Sequence, residues 1–145
     1  MEIKTHSTQI KILESNLDTF GHVNNAEYLV LYEQARWEMI TEGEWGLDKI
    51  MKDKIGPVIT NINISFIREV YLRELITIET KCLGFVNPKI MKIEQRMISE
   101  NGKVKNQMTM EAGLFDLNAR KLLIPTDEWM NAIGVSGDWQ NEMKS

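Results

Sequence analysis

Between residues 25 and 42 apolar side chains recur every three or four positions. Ala26, Leu29, Val30, Trp37 and Ile40, with Glu33 among them, fall on one stripe, and Tyr28, Tyr32, Ala35 and Met39 form a second stripe beside it. A helix apolar over so much of its circumference is expected to be buried, and Gly43 ends it. The period then drops to two. Val58, Thr60, Ile62, Ile64 and Phe66 alternate with Ile59, Asn61, Asn63, Ser65 and Ile67, which predicts a strand. A second strand is expected over 75–85, a turn at Asn87-Pro88, and a third strand over 89–99. Asn101-Gly102 is a hairpin signal, so 105–115 should return antiparallel. A turn at 116–120 leads to a short edge segment over 122–124 before Pro125. Thr126-Asp127-Glu128-Trp129 then opens a short final helix by a capping arrangement. Upstream, residues 5–13 read as a first strand, and 45–51 as a short second helix closed off by Gly56-Pro57. The tail beyond about residue 134 is expected to fray.

One long helix followed by four or five antiparallel strands is an α+β pattern. Strands joined by hairpins should form one curved antiparallel sheet whose inner face covers the helix. The 145 residues make one domain with a real core, expected over 1–134 with a tail over 135–145. A strand-rich single layer leaves an edge exposed, so pairing with a second copy is expected: a homodimer at least, with a dimer-of-dimers tetramer as an extension.

Composition narrows the function classes. The chain is 43% hydrophobic and 26% charged, ordinary values for a soluble globular protein. Its net charge of −4 and the lack of a basic block argue against nucleic-acid binding. No stretch approaches membrane-spanning length and none resembles a signal peptide. With a single cysteine, Cys82, a reducing, cytoplasmic location is expected. Two histidines and one cysteine offer no metal-ligand spacing, so no metal or redox cofactor is expected.

The chemistry is concentrated just ahead of the long helix, in Leu17-Asp18-Thr19-Phe20-Gly21-His22-Val23-Asn24-Asn25-Ala26-Glu27-Tyr28. Asn24 or Asn25 stands where an N-cap belongs, with orphan N–H groups beyond it. An acid and an imidazole therefore sit beside the positive end of a helix, a place suited to a group that becomes negative. Plainer readings exist for each residue. Asp18 can cap a turn, His22 can hold the loop, and the asparagines can serve only as caps. Glu33, inside an apolar stripe, is expected to pair with Arg36, or else to act as a base in its own right. Arg68, Arg73, Lys89 and Lys92 are the candidate cations for a phosphate, arginine having the planar fork that binds two oxygens. The methionines are mostly core filler, and Cys82 is expected to be buried and inert.

Asp18-x-x-Gly21-His22-Val23-Asn24-Asn25-x-x-Tyr28, followed by Tyr32-Glu33-x-Ala35-Arg36, resembles the hotdog-fold acyl-CoA thioesterases of the 4-hydroxybenzoyl-CoA type. Phe66-Ile67-Arg68, with Arg73-Glu74, is similar to that family's second strand and turn, and the order of elements agrees over about 5–130. The resemblance implies an enzyme that hydrolyses an acyl-CoA thioester. Asp18 would be general base or nucleophile, and the amide of Asn25 would polarise the carbonyl. Gly21 and His22 would complete the catalytic loop; Arg68, Tyr28 and Glu33 would touch substrate. Phe20 would help desolvate Asp18. No cofactor is implied, coenzyme A entering only as part of the substrate. The chain is also similar to plant-type acyl-carrier-protein thioesterases, which share His22-Val23-Asn24-Asn25. Those carry an asparagine where this chain has Phe20, which favours the CoA group. Alternatives are an acyl-carrier-protein substrate, a hydratase of the same fold, and a non-catalytic acyl-binding module.

Overall fold

The computed structural model describes residues 1–18 and 21–144. Its elements are β1 (Glu2–Ile3), β2 (His6–Lys11), α1 (Asn25–Glu42), α2 (Leu47–Asp53), β3 (Ile55–Phe66), β4 (Leu75–Asn87), β5 (Ile90–Ser99), β6 (Val104–Asp116), β7 (Lys121–Leu123), α3 (Asp127–Ala132) and β8 (Val135–Ser136). The main sheet runs β2-β4-β5-β6-β3, all pairings antiparallel, with β7 extending β6. It curls around α1, the hotdog architecture expected from the chain.

The long helix begins and ends where expected. The Asn24 side chain caps it by accepting the N–H of Ala26 at 2.8 Å, and Gly43 closes it. A Cβ at position 43 would lie 2.5 Å from the Ala132 Cα, so only glycine lets α1 end against the backbone of α3. Burial of α1 differs from the expectation. Tyr28, Leu31, Tyr32, Ala35, Met39 and Ile40 face the sheet, whereas Leu29, Val30, Glu33 and Trp37 are exposed. One sheet covers only one side of a cylinder, so most of the first stripe stands uncovered in the single chain.

The strand after α2 starts earlier than its alternation suggested, at Ile55, and Gly56-Pro57 lie within it rather than before it. An edge strand tolerates proline because one side of its backbone needs no partner. The simple alternation also breaks. Ile59 pairs with Ala112 and Asn61 with Glu111, leaving Thr60 as an inserted residue. Directly opposed residues share a face. Pro57 and Ile59 therefore point inward with Leu114 and Ala112, and beyond the bulge Ile62, Ile64 and Phe66 do so with Met110, Met108 and Asn106.

Residues 135–139 do not fray as expected. β8 pairs with β1, Lys4 N–H donates to the Gly134 carbonyl at 2.7 Å, and Trp139 is buried, stacked on Phe85 and donating its indole N–H to Asp127. The core is divided in two. One cluster lies between the N-terminal half of α1 and the sheet; the other joins Met39, Ile40, Met91 and Leu114 to Trp129 and Met130 of α3.

Candidate active site

The loop ahead of α1 is closed on itself. Leu17 and Val23 form an isolated antiparallel bridge, the Asp18 N–H donates to the His22 carbonyl at 2.8 Å, and the Gly21 N–H donates to the Asp18 carbonyl at 3.1 Å. Gly21 takes φ +79, the positive value such a tight reversal needs. Val23 is buried in the core, so the loop is anchored where it meets the helix. The half-buried Asp18 carboxylate accepts the His22 backbone N–H at 3.2 Å. This turn holds the acid against the N–H of His22, three residues ahead of α1 in the chain. Because Asn24 directs its carboxamide to Ala26, the N–H of Asn25, one residue nearer the tip, gets no cap from it. Phe20 and Thr19 lie outside the described residues.

His22 has a partner that the sequence did not announce. Its Nδ1 meets the Glu69 carboxylate. Glu69 sits between β3 and β4 in a segment that Lys105 brackets. The Lys105 carbonyl accepts the N–H groups of Ile67 and Arg68, and its Nζ donates to the Glu69 carbonyl at 2.9 Å and to the Glu74 carboxylate at 3.1 Å. Next along, Val70 is fully in the core. Glu69 is thus held by its own backbone, and can fix the imidazole orientation. The motif Phe66-Ile67-Arg68 ran to within one residue of it. Chemistry alone gave no reason to join positions 22 and 69.

The remaining candidates divide by location. Tyr28 belongs to the core, its ring edge-on to Phe66 at 5.2 Å, and burial raises its pKa, keeping the phenol protonated. Arg68 is exposed in the segment after β3, at the same end of the sheet as the helix tip. Arg73, at that end too, is ion-paired with Glu14 at 2.6 Å. Lys89 lies at the opposite end, in the β4–β5 turn, and Lys92 is mid-strand opposite Glu111. The expected Glu33–Arg36 pair does not form among the described residues. Glu33 accepts the Trp37 indole N–H at 3.3 Å, while Arg36 turns inward and donates to Gln95 at 2.8 Å. Gln95, fully buried, bonds in turn to Thr80 and to the Tyr32 carbonyl. Burial lowers the Arg36 pKa, with the charge of Glu33 opposing the shift. Glu33 is also far from the tip, about 12 Å along the axis from Asn25. Cys82 is buried as expected, and burial raises its pKa, which keeps the thiol protonated and unreactive.

A cavity of about 240 Å³ opens beside the C-terminal half of α1, between that helix, α3 and the inner face of β3, β5 and β6. Its lining is mostly apolar, with Glu33 and Arg36 on the α1 side. Among the described residues no cluster of three or more His, Cys, Asp or Glu side chains is arranged to hold a metal ion. None of the helices among them is long and apolar enough to cross a membrane.

Residues 13–134 match the Thioesterase-like superfamily model. The chain belongs to that superfamily. It is 34% identical over 117 residues to the long-chain acyl-CoA thioesterase FadM of Escherichia coli, spanning 80% of this chain and 87% of that protein. The crystal structure of YbaW, a probable thioesterase from Escherichia coli, superposes with a TM-score of 0.74 at 30% identity, over 88% of this chain and 95% of that one. The SAV2348 protein of Staphylococcus aureus, solved in complex with CoA, shares the fold at a TM-score of 0.82 and 10% identity, over 98% of this chain and 87% of that one. Membership makes the chain a thioester hydrolase; it reaches the superfamily and not the 4-hydroxybenzoyl-CoA branch.

Proposed function

We propose that this chain hydrolyses the thioester of an acyl-CoA at the tip of α1, by the Asp18-centred chemistry of the 4-hydroxybenzoyl-CoA type. The observation that supports this reading is the closed turn that fixes a carboxylate against the His22 N–H in the loop leading into the capped N-terminus of α1. The acyl carbonyl oxygen lies against the Asn25 N–H and the positive end of the helix, which stabilise the charge that develops there. Asp18 takes a proton from water as that water attacks the carbonyl carbon; as nucleophile instead, it forms a mixed anhydride that water then opens. Collapse of the tetrahedral intermediate breaks the C–S bond and releases the CoA thiolate, which takes up a proton. His22, held by Glu69, borders the acid and positions the thioester. Arg68 offers its fork to a CoA phosphate. FadM's action on long-chain acyl-CoA and the CoA found with the Staphylococcus aureus protein support CoA as the carrier. The net negative charge disfavours an acidic carrier protein. The reaction as written uses no cofactor and suits the cytoplasm.

A panel of acyl-CoAs followed by a thiol-reactive dye tests the activity. Thiol release from at least one acyl class is expected, and buried Cys82 adds no background while the protein is folded. Tight binding across short, long and aromatic acyl groups without release would replace the enzyme with a binding module.

The functional unit in this reading is a homodimer. β3 is an edge strand of 12 residues with one side of its backbone unpaired in the sheet. Beside it Leu29, Val30, Trp37, Ile59, Ile62 and Phe66 are all exposed, an apolar patch unusual for a solitary soluble chain. Sedimentation equilibrium is expected to return twice the chain mass of 16.8 kDa; a monomer at micromolar concentration would rule this arrangement out.

A further inference from the structure

We infer that the cavity beside the C-terminal half of α1 is the terminal subsite for a long acyl chain, reached from the catalytic tip along the seam between α1 and β3. The inference rests on the thioesterase reading above and adds to it where the tail goes and what measures its length.

The bulge at Thr60 brings Ile59 onto the same face as Ile62, Ile64 and Phe66. An apolar row therefore runs along the inner face of β3. At one end Phe66 touches Tyr28, in the first turn of α1; at the other, Pro57 and Ile59 line the cavity with Trp37. Leu29 and Val30 stand exposed on α1 between those ends. The lane is uncovered, but the cavity at its end is walled by buried side chains, including Met39, Ile40, Ala112, Trp129 and Ile133. A mostly apolar space of this size suits a polymethylene chain. A second copy seated along β3 would cover the lane and the exposed mouth at Trp37, Pro57 and Ile59, leaving the inner end between Met39, Ile40, Ala112 and Ile133 for the chain terminus.

The dimensions select a substrate class. From Asn25 to Glu33 the helix rises about 12 Å, to Arg36 about 16 Å and to Ile40 about 22 Å. An extended chain advances about 1.2 Å per bond. An acyl group held by its carbonyl at Asn25 thus needs about 10 carbons to reach the rim, about 14 to pass Arg36 and about 18 to reach the depth of Ile40. A dry cavity of about 150 Å³ holds a six-carbon ring, so 240 Å³ has room for the last carbons of such a chain. Eight-carbon and aromatic acyl groups stop short of it.

Ala112 has the smallest side chain of the lining and is buried opposite Ile59. Ala112→Leu places three added carbons in the cavity. Two measurements read it. In turnover, kcat/KM for hexadecanoyl-CoA is expected to fall at least tenfold while that for octanoyl-CoA stays within twofold. In binding, calorimetry with the non-hydrolysable thioethers S-hexadecyl-CoA and S-octyl-CoA should show the wild type favouring the longer chain at least tenfold and Ala112→Leu losing most of that preference. Equal wild-type affinity for both thioethers, or a preference that survives the substitution, would overturn the inference. If no acyl-CoA releases thiol, the thioesterase reading fails, while the thioether comparison still decides the subsite. Ala112→Val carries the same comparison in a smaller step if the leucine variant does not fold.

Discussion

Asp18→Asn is expected to lower kcat/KM for a good acyl-CoA substrate by about 10²–10⁴-fold, the usual worth of a positioned base or nucleophile. That is about 3–5 kcal/mol of transition-state stabilisation at 1.36 kcal/mol per tenfold. The asparagine carbonyl can still accept the His22 backbone N–H now taken by the carboxylate, so the loop should keep its shape and the melting temperature should hardly move. The matched control is Glu33→Gln, expected to change kcat/KM by less than about threefold, since Glu33 is far from the tip and bonded to Trp37. Steady-state kinetics on both variants checks the pair. A large loss at Glu33 with little at Asp18 would transfer the chemistry to the middle of the helix.

The largest effect on stability is expected from Trp129→Ala. Trp129 is 2% exposed, meets Trp45 edge-to-face at 5.7 Å, and directs its indole N–H at the Met91 sulfur at 3.3 Å. Removing a buried tryptophan costs about 3–5 kcal/mol, through lost burial and the void left behind. Against a typical total of about 5–15 kcal/mol, that should lower the melting temperature by about 10–20 °C, as calorimetry would show. A drop below about 5 °C would mean that α3 contributes little to the second half of the core.

Much of this molecule is legible in its amino acids because local signals agree with one another. Asn24 and Gly43 mark the helix ends, Asn101-Gly102 the hairpin, and Thr126 the last cap, each by chemistry confined to a few residues. The parts that were not legible depend on contacts between distant segments. Which stripe of α1 is buried depends on where the sheet passes, and Tyr28 and Tyr32 gave no more reason for burial than Leu29 and Trp37. Arg36 looked like a surface partner for Glu33 until Gln95, a buried amide on β5, drew it inward. The tail looked loose because β1 and β8 are too short to announce themselves. Asp18, Gly21, His22 and Asn25 could be grouped as one candidate site because they follow one another in the loop that leads into α1. Glu69 was missed because β3 and its turn deliver it from 47 positions away.

The extra residue at position 60 has a consequence for how relatives of this chain can diverge. Side chains there can be exchanged freely, because Thr60 is exposed and its hydroxyl makes one bond, to the Glu111 carbonyl. Its presence sets the bend of the strand rather than the facing of its side chains. Loss of that one codon would leave Ile59 opposite Ala112 and Asn61 opposite Glu111 in unbroken alternation, so Pro57 and Ile59 would keep the inner face while the local kink and extra twist disappeared. The stretch is therefore permissive to spelling and to the loss of one letter, whereas removal of any single neighbour that already has a partner would put the remaining pairs out of step.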